Sequence, residues 1–245
     1  MVKNFAHRGF SGLYPENTML AFRKAVETPG CDGIEFDVHL TKDGVPVIIH
    51  DETIDRTCVN GTGLVKDFTY EELRQFDVSF KFAGQCEPQH IPSLREYFEL
   101  VKDSHIISNI ELKTSIFEYN GIEQKVYDLI MEYGLKDKVI ISSFNHFSVK
   151  RMKEICPELK CGLLTESWLI NAGEYTAKQN VECFHPIRFN MTAEHISEVK
   201  KHGLEVNVWT VNEEDDIRDM INCGVDSIIG NFPDRTAKVI AQMCT

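Results

Sequence analysis

Short apolar segments rich in Val, Ile and Phe alternate along the chain with amphipathic segments of about three helical turns, a pattern typical of parallel strands joined by helices. Eight such strands within 245 residues most simply close into an α/β fold, the (β/α)8 or TIM barrel. A doubly wound open sheet is the alternative, and periodicity does not separate the two. The predicted strands are Lys3–Ala6, Gly33–Leu40, Ile106–Leu112, Val139–Ser142, Lys160–Leu164, Val181–Phe184, Glu205–Trp209 and Ser227–Ile229.

Helices are predicted between these strands from apolar spacing and from residues that begin or end a helix. Asn17 or Thr18 is placed to cap a helix that starts at Met19. Glycines follow three of the predicted helices, as is common at helix ends. The other helices are predicted over Gly121–Tyr133, His146–Ile155, Thr192–Lys201 and Glu213–Cys223.

One connection is longer than a single crossover requires, because about 50 residues separate His50 from the next predicted strand. We interpret residues 52–92, approximately, as a small insertion after the second strand. Within and after it, Thr69–Gln75 and Ser93–Val101 are predicted helices, the first with Thr69 and Glu72 as a capping box. Residues 1–245 are otherwise predicted to form a single domain.

Composition narrows the functional classes. The formal net charge of −12 argues against nucleic-acid binding, which relies on clustered Lys and Arg. No segment approaches the roughly 20 apolar residues of a membrane span, and the dense run Val45–His50 has strand length. The eight cysteines include no C-x-x-C pair, which indicates free thiols in a reducing compartment. With no signal-peptide pattern ahead of the first strand, a cytoplasmic location is expected.

Candidate chemistry begins in the second strand. Because side chains alternate between the faces of a strand, Glu35 and Asp37 share one face and Ile34, Phe36 and Val38 share the other. In a barrel the two carboxylates then point inward. Two buried carboxylates on one strand repel each other unless a cation or a proton lies between them.

The third predicted strand has the same alternation of polar and apolar residues, with Glu111 and Lys113 on one face. Glu35, Asp37 and Glu111 on adjacent strands would form an oxygen-ligand site for one divalent cation, Mg²⁺ or Ca²⁺, with Mn²⁺ as a further choice. Lys113 would either hold an anionic oxygen beside the metal or balance the charge of Glu111.

Two histidines terminate apolar runs at the same end of the predicted barrel as the carboxylates. His7 follows the first strand and His50 follows Val47–Ile49, where a barrel presents its catalytic face. Arg8 supplies a guanidinium matched to phosphate oxygens. The seven other histidines are interpreted as surface or satisfied core residues.

The order of the motifs is specific. From end to end, the series HRG, PENT, E-x-D, TKDG-x-PVIIHD, NGTG, IPSL, IELK, VWTVN and GNFPD resembles the glycerophosphodiester phosphodiesterase family. The resemblance implies a barrel whose second unit carries an insertion. It further implies metal ligands at Glu35, Asp37 and Glu111, acid–base catalysis by His7 and His50, phosphate binding by Arg8 and Lys113, and packing of Trp209 against glycerol or, alternatively, only against the barrel rim.

The implied reaction is metal-dependent hydrolysis of small glycerophosphodiesters, such as glycerophosphocholine or glycerophosphoethanolamine, to an alcohol and sn-glycerol 3-phosphate. The sequence does not assign acid and base to particular histidines and predicts no oligomeric state. A lysophospholipase D-type phosphodiesterase is one alternative, in which Phe80, Phe82 and Tyr97 would offer apolar surface near the mouth or else pack the insertion onto the barrel. A non-catalytic barrel that senses a phosphodiester is the other.

Overall fold

The computed structural model describes residues 1–243. Its strands are β1 (Lys3–His7), β2 (Gly33–Leu40), β3 (Pro46–Ile48), β4 (Ile107–Leu112), β5 (Val139–Ser143), β6 (Cys161–Thr165), β7 (Cys183–Pro186), β8 (Glu205–Val208) and β9 (Ser227–Gly230). Its α-helices are α1 (Met19–Glu27), α2 (Tyr70–Leu73), α3 (Leu94–Val101), α4 (Ile122–Glu132), α5 (His146–Ile155), α6 (Ala172–Ala177), α7 (Ala193–Lys200), α8 (Glu214–Cys223) and α9 (Pro233–Met243).

The predicted parallel barrel is confirmed. The strands follow the order β1-β9-β8-β7-β6-β5-β4-β2, and β1 also pairs with β2, which closes the ring. All eight predicted strands are in this ring, with ends displaced by no more than about two residues, as expected for boundaries. The open-sheet alternative is therefore wrong.

A ninth strand, β3, was missed by the sequence prediction. It is only three residues long and pairs antiparallel with β2, with Val38 opposite Ile48. Pro46, which lacks an N–H donor, is acceptable because β3 lies at the end of the strand order, outside the ring. The apolar run Val45–His50 thus forms a short edge strand and its extension.

In β2, polar and apolar side chains alternate between the two faces of the strand, as predicted. Phe36 packs outward between the sheet and the helices, with its ring centroid 4.2 Å from that of Tyr97 in α3. Tyr97 in turn lies 5.0 Å from Phe22 in α1, and all three side chains are buried. Glu35 and Asp37 consequently face the barrel interior.

The capping box predicted at Thr69 is confirmed, and a second one is found at Ser93. Thr69 caps α2 and Ser93 caps α3, and each forms a complete capping box with the Glu three residues later. Between β3 and α3, the insertion buries its own apolar cluster, formed by Val47, Ile49, Ile54, Val65, Leu73, Val78 and Ile91. The helices α6 and α9 were not predicted, because α6 has only six residues and α9 begins directly at Pro233 after a short loop.

Within residues 1–243, the seven cysteines form no disulfide. No helix in this range is long and apolar enough to cross a bilayer.

Candidate active site

Parallel register gathers three carboxylates at the carboxyl ends of neighbouring strands. Glu35 is paired with His7 across β1 and β2, and Asp37 is paired with Glu111 across β2 and β4. One carboxylate oxygen from each of Glu35, Asp37 and Glu111 lies within 4.8 Å of the others. These side chains are buried, with residue exposures of 5%, 1% and 7%.

The buried carboxylates differ in their preferred protonation states. Burial, reinforced by the neighbouring charges of Asp37 and Glu111, raises the pKa of Glu35 well above its usual range. Burial alone would also raise the pKa of Asp37, but the charges of Arg8 and Lys113 hold it below its usual range. Without a metal ion, the cluster therefore favours a proton on Glu35, and a divalent cation would replace that proton.

Two cations border this cluster. Nζ of Lys113 lies 2.9 Å from Oε1 of Glu111 and 3.7 Å from Oδ1 of Asp37. Nε of Arg8 lies 3.4 Å from Oδ2 of Asp37 but is buried without a hydrogen-bond partner in the described chain. Lys113 therefore balances the charge of Glu111, as one sequence interpretation held, and both cations also line the cavity described below.

The loop after β1 directs Arg8 into the cavity through an unusual backbone conformation. Arg8 has a φ of 56°, in the left-handed region that non-glycine residues rarely adopt. Gly9 follows with a φ of 77°, and a Cβ at this position would lie 2.8 Å from the carbonyl carbon of Ala21. Only glycine allows α1 to approach this turn so closely.

The imidazole of His7 is held by the loop that follows β9. Its Nδ1 donates to Oδ1 of Asn231 over 2.7 Å, and its Nε2 lies 3.8 Å from Oε2 of Glu35. Burial and the adjacent Arg8 charge lower the pKa of His7 to about 3. His7 is therefore neutral near pH 7, and the hydrogen bond to Asn231 leaves Nε2 free to accept a proton.

His50 is held by a carboxylate instead. Its Nδ1 donates to Oδ1 of Asp51 over 2.5 Å. Nε of Arg56 in turn donates to Oδ2 of Asp51 over 2.7 Å, and its Nη2 donates to Oε1 of Glu16 over 2.7 Å. Glu16 also accepts from Nη1 of Arg8 over 2.9 Å, so a continuous chain of charged hydrogen bonds links His50 to Arg8.

His39 is hydrogen-bonded to the backbone of His50. Burial lowers the pKa of His39 to about 4, so its imidazole is neutral. Its Nε2 donates to the backbone carbonyl of His50 over 3.2 Å, and its Nδ1 lies 3.0 Å from the hydroxyl of Tyr119. The sequence interpretation of His39 as a satisfied core residue is confirmed.

Both histidines His7 and His50, the carboxylates of Glu35 and Glu111, and the two cations border one cavity of about 330 Å³ at the mouth of the barrel. The apolar wall of this cavity is formed by four side chains at the ends of β5, β6, β8 and β9: Phe144, Leu164, Trp209 and Ile229. The lining residues are His7, Arg8, Glu35, His50, Glu52, Asn109, Glu111, Lys113, Ser115, Phe144, Leu164, Glu166, Trp209 and Ile229.

Comparison with known proteins decides the family. Residues 7–235 match the sequence profile described as the "Glycerophosphoryl diester phosphodiesterase family". The chain belongs to this family. As a family member it is an enzyme that hydrolyses phosphoric diesters, which excludes the purely binding barrel.

Individual members of the family are similar over nearly their whole length. A glycerophosphodiester phosphodiesterase of Caldanaerobacter subterraneus is 45% identical over 237 residues, covering 97% of both chains. One from Bacillus altitudinis is 43% identical over 99% of this chain and 100% of its own. A phosphodiesterase structure from Oleispira antarctica, in complex with the product sn-glycerol-3-phosphate, has a TM-score of 0.90 at 27% identity and covers 98% of this chain and 96% of its own.

The structure brings together every residue predicted for the site in this family member. Seven of the eight line the cavity, and Asp37 lies behind them against Arg8 and Lys113. Trp209 lines the cavity and also packs at the rim, since its Nε1 donates to the carbonyl of His185 over 2.9 Å. Asn17, expected to order a loop or cap a helix, donates from Nδ2 to Asp37 over 2.9 Å, while Thr18 caps α1.

Three residues that orient the site were missed by sequence reasoning. Asn231 lies in the GNFPD motif directly after the last predicted strand, and Asp51 directly follows His50 in the HD motif. Both positions could therefore have been recognised from the sequence. Arg56 offered no such signal, because it lies inside the insertion and meets Glu16 across 40 residues of sequence.

Of the three aromatic residues considered for an apolar mouth, Tyr97 packs in the core. Tyr97 is fully buried between the barrel and α1, so it packs the fold together. Phe80 is 46% exposed and Phe82 is half-buried in the insertion.

Proposed function

We propose that this enzyme hydrolyses glycerophosphodiesters such as glycerophosphocholine and glycerophosphoethanolamine to an alcohol and sn-glycerol 3-phosphate in a reaction that needs one divalent cation. One observation carries the proposal: a cavity of about 330 Å³ brings together the carboxylate cluster, two imidazoles and two cations. The product complex of the Oleispira antarctica relative supports glycerol 3-phosphate as the retained product.

The donor set fits a hard divalent cation. Glu35, Asp37 and Glu111 offer three carboxylate oxygens and no nitrogen or sulfur, which suits Mg²⁺, Ca²⁺ or Mn²⁺. The raised pKa of Glu35 supports the same assignment, since the cluster holds more negative charge than its neighbours neutralise. When bound there, the cation would stabilise negative charge on the phosphoryl oxygens.

Arg8 and Lys113 would bind the remaining phosphoryl oxygens. Nε of Arg8 is buried without a partner in residues 1–243, and a phosphate oxygen would satisfy it. Glu111 and Asp37 hold Lys113 within 2.9 and 3.7 Å, which fixes the position of its ammonium group. Donors positioned before the substrate arrives need no reorganisation as charge develops in the transition state.

The different partners of the two histidines support a division of roles. His7 is neutral, with Nε2 as its free lone pair, so it would accept the proton of the nucleophile. His50, whose ring is held by the hydrogen bond from its Nδ1 to the carboxylate of Asp51, would donate a proton to the leaving alkoxide. General acid–base cleavage of a diester needs one group that accepts a proton from the nucleophile and another that donates a proton to the leaving alkoxide.

Trp209 would contact the glycerol moiety. Its indole is fixed by the hydrogen bond to His185 and by an edge-to-face contact with Phe144 at 5.5 Å between centroids. Both rings belong to the apolar wall of the cavity that Arg8 and Lys113 also line. The carbon face of a glycerol would pack on this wall while its phosphate meets Arg8.

The test is release of glycerol 3-phosphate from glycerophosphocholine, first after chelation and then after adding Mg²⁺, Ca²⁺ or Mn²⁺ singly. His7→Ala and Glu35→Ala are assayed alongside the wild type. We expect metal to restore turnover in the wild type and in neither variant. Absence of turnover with all three metals would refute the proposal, and turnover that survives chelation would refute its metal requirement.

A further inference from the structure

Large apolar side chains are exposed unevenly over the molecule. Five that are each more than half exposed lie in the segments that immediately follow β4, β5, β6 and β7, and we call them the apolar arc. Among the described residues, the opposite end of the barrel exposes only Met1 and Met131. The members of the apolar arc, with their exposures, are Ile116 (67%), Phe147 (74%), Trp168 (57%), Ile170 (93%) and Phe189 (71%).

The apolar arc surrounds half of the active-site mouth. Strands β4 to β7 are consecutive in the ring, and all four are parallel, so the segments after them meet at the catalytic end. Phe144 and Leu164, at the ends of β5 and β6, contribute apolar side chains to the adjoining cavity wall. The charged residues His50, Asp51 and Arg56 lie on the other half of the mouth, beyond β2.

These side chains project into solvent. Ile170, at 93% exposure, lies at the tip of the β6–α6 loop, and Phe147 is 74% exposed in the first turn of α5. Exposed large apolar side chains concentrated on four consecutive loops at one end of a barrel indicate a site of interaction with another molecule. Projecting aromatic and aliphatic side chains at loop tips suit insertion into a lipid surface better than enclosure of a soluble ligand.

The negative charge of the protein favours a zwitterionic over an anionic lipid surface. The chain carries a net charge of −12, and exposed Glu118 and Glu166 lie in the same loops as Ile116 and Trp168. The potential of an anionic leaflet, on the order of −30 mV, would repel this face. A second copy of the chain would bring the same acidic residues together, which makes self-association through the arc unfavourable.

We propose that the apolar arc docks the enzyme onto a zwitterionic lipid surface, with the mouth of the barrel facing the lipid head groups. Docking of this kind goes beyond the proposed hydrolysis and does not require it, because none of the arc residues is among those that line the cavity. Its contacts are apolar and include the indole of Trp168, an aromatic type enriched at membrane interfaces.

The experiment uses the full chain with sucrose-loaded phosphatidylcholine vesicles and measures co-sedimentation. The test variant is Phe147→Ser/Ile170→Ser, and the matched control is Met131→Ser at the opposite end of the barrel. We expect the wild type and the control to bind, and the double variant to lose roughly tenfold or more in partition coefficient. Its turnover of water-soluble glycerophosphocholine, or its thermal unfolding if no turnover exists, shows that it is folded.

A second readout locates the contact. The chain has two tryptophans, Trp168 in the arc and Trp209 in the cavity. Vesicles with brominated acyl chains should quench wild-type fluorescence, and Trp168→Phe should lose that quenching while still binding. No binding, equal binding by the double variant, or binding only to anionic vesicles would overturn the proposal. Self-association that the double variant abolishes would assign the arc to a second copy instead.

Discussion

Nδ1 of His50 donates to the carboxylate of Asp51 over 2.5 Å, whereas His7 makes the equivalent bond to an amide. Replacing Asp51 by Asn keeps the shape of the side chain and removes the negative charge that faces Nδ1 of His50 and Nε of Arg56. We expect kcat to fall by roughly 10²- to 10⁴-fold with little change in thermal stability. Steady-state kinetics of Asp51→Asn against wild type measure this, and a variant with wild-type kcat would exclude the orienting role.

The acid–base division is tested by changing the leaving group. With glycerophosphocholine, His7→Ala and His50→Ala should each lose about 10²- to 10⁴-fold in rate. With the p-nitrophenyl ester of glycerol 3-phosphate, the leaving group needs no proton, so His50→Ala should recover most of its activity and His7→Ala should not. Recovery by His7→Ala alone would reverse the assignment.

Arg56 is expected to act through Asp51 and Glu16, since it donates two hydrogen bonds to each carboxylate. Lysine keeps the charge but cannot reproduce this planar geometry. Arg56→Lys should lower kcat about 10- to 100-fold. Arg74→Lys, an exposed arginine of the same insertion, is the control and should leave kcat unchanged.

Without metal, the burial of Glu35 should make the free energy of unfolding depend on pH. Its pKa is 4.5 in the unfolded reference and higher in the folded protein, so between these values the folded state binds more protons. In chelator, the free energy of unfolding should therefore decrease as pH rises through that window. Glu35→Gln should weaken this decrease, leaving only the part due to the raised pKa of Glu111, and should also remove stabilisation by added metal, whereas exposed Glu118→Gln should retain both in full. Urea titrations at several pH values provide the measurement.

Phe22 joins α1 to the barrel through its contacts with Phe36 and Tyr97, at centroid distances of 5.8 and 5.0 Å. Phe22→Ala should lower the free energy of unfolding by about 3–5 kcal/mol. Phe147→Ala removes the same ring from a side chain that is 74% exposed and should change stability by no more than about 0.5 kcal/mol. Equal effects in urea denaturation would contradict this view of the core.

The barrel and its inward carboxylates could be predicted from sequence because both depend on local alternation. In β2 the period of two alone separates Glu35 and Asp37 from Phe36, and strand order then brings Glu111 beside them. The pairing of Arg56 with Glu16 could not be predicted in the same way. It depends on how the insertion folds back over the β1–α1 loop, and no periodic pattern encodes that path.

His7 and Asn231 lie 224 residues apart in sequence and meet only where β1 pairs with β9. Asn4 reinforces this seam by donating from Nδ2 to the carbonyl of Pro233 over 2.8 Å. The imidazole of His7, the proposed general base, is therefore oriented by the β1–β9 pairing, which is the last strand pairing of the ring that can form as the chain is synthesised from its amino terminus. Turnover should be the latest property that a nascent chain gains and the earliest that it loses when the seam opens, which makes activity a direct report of ring closure.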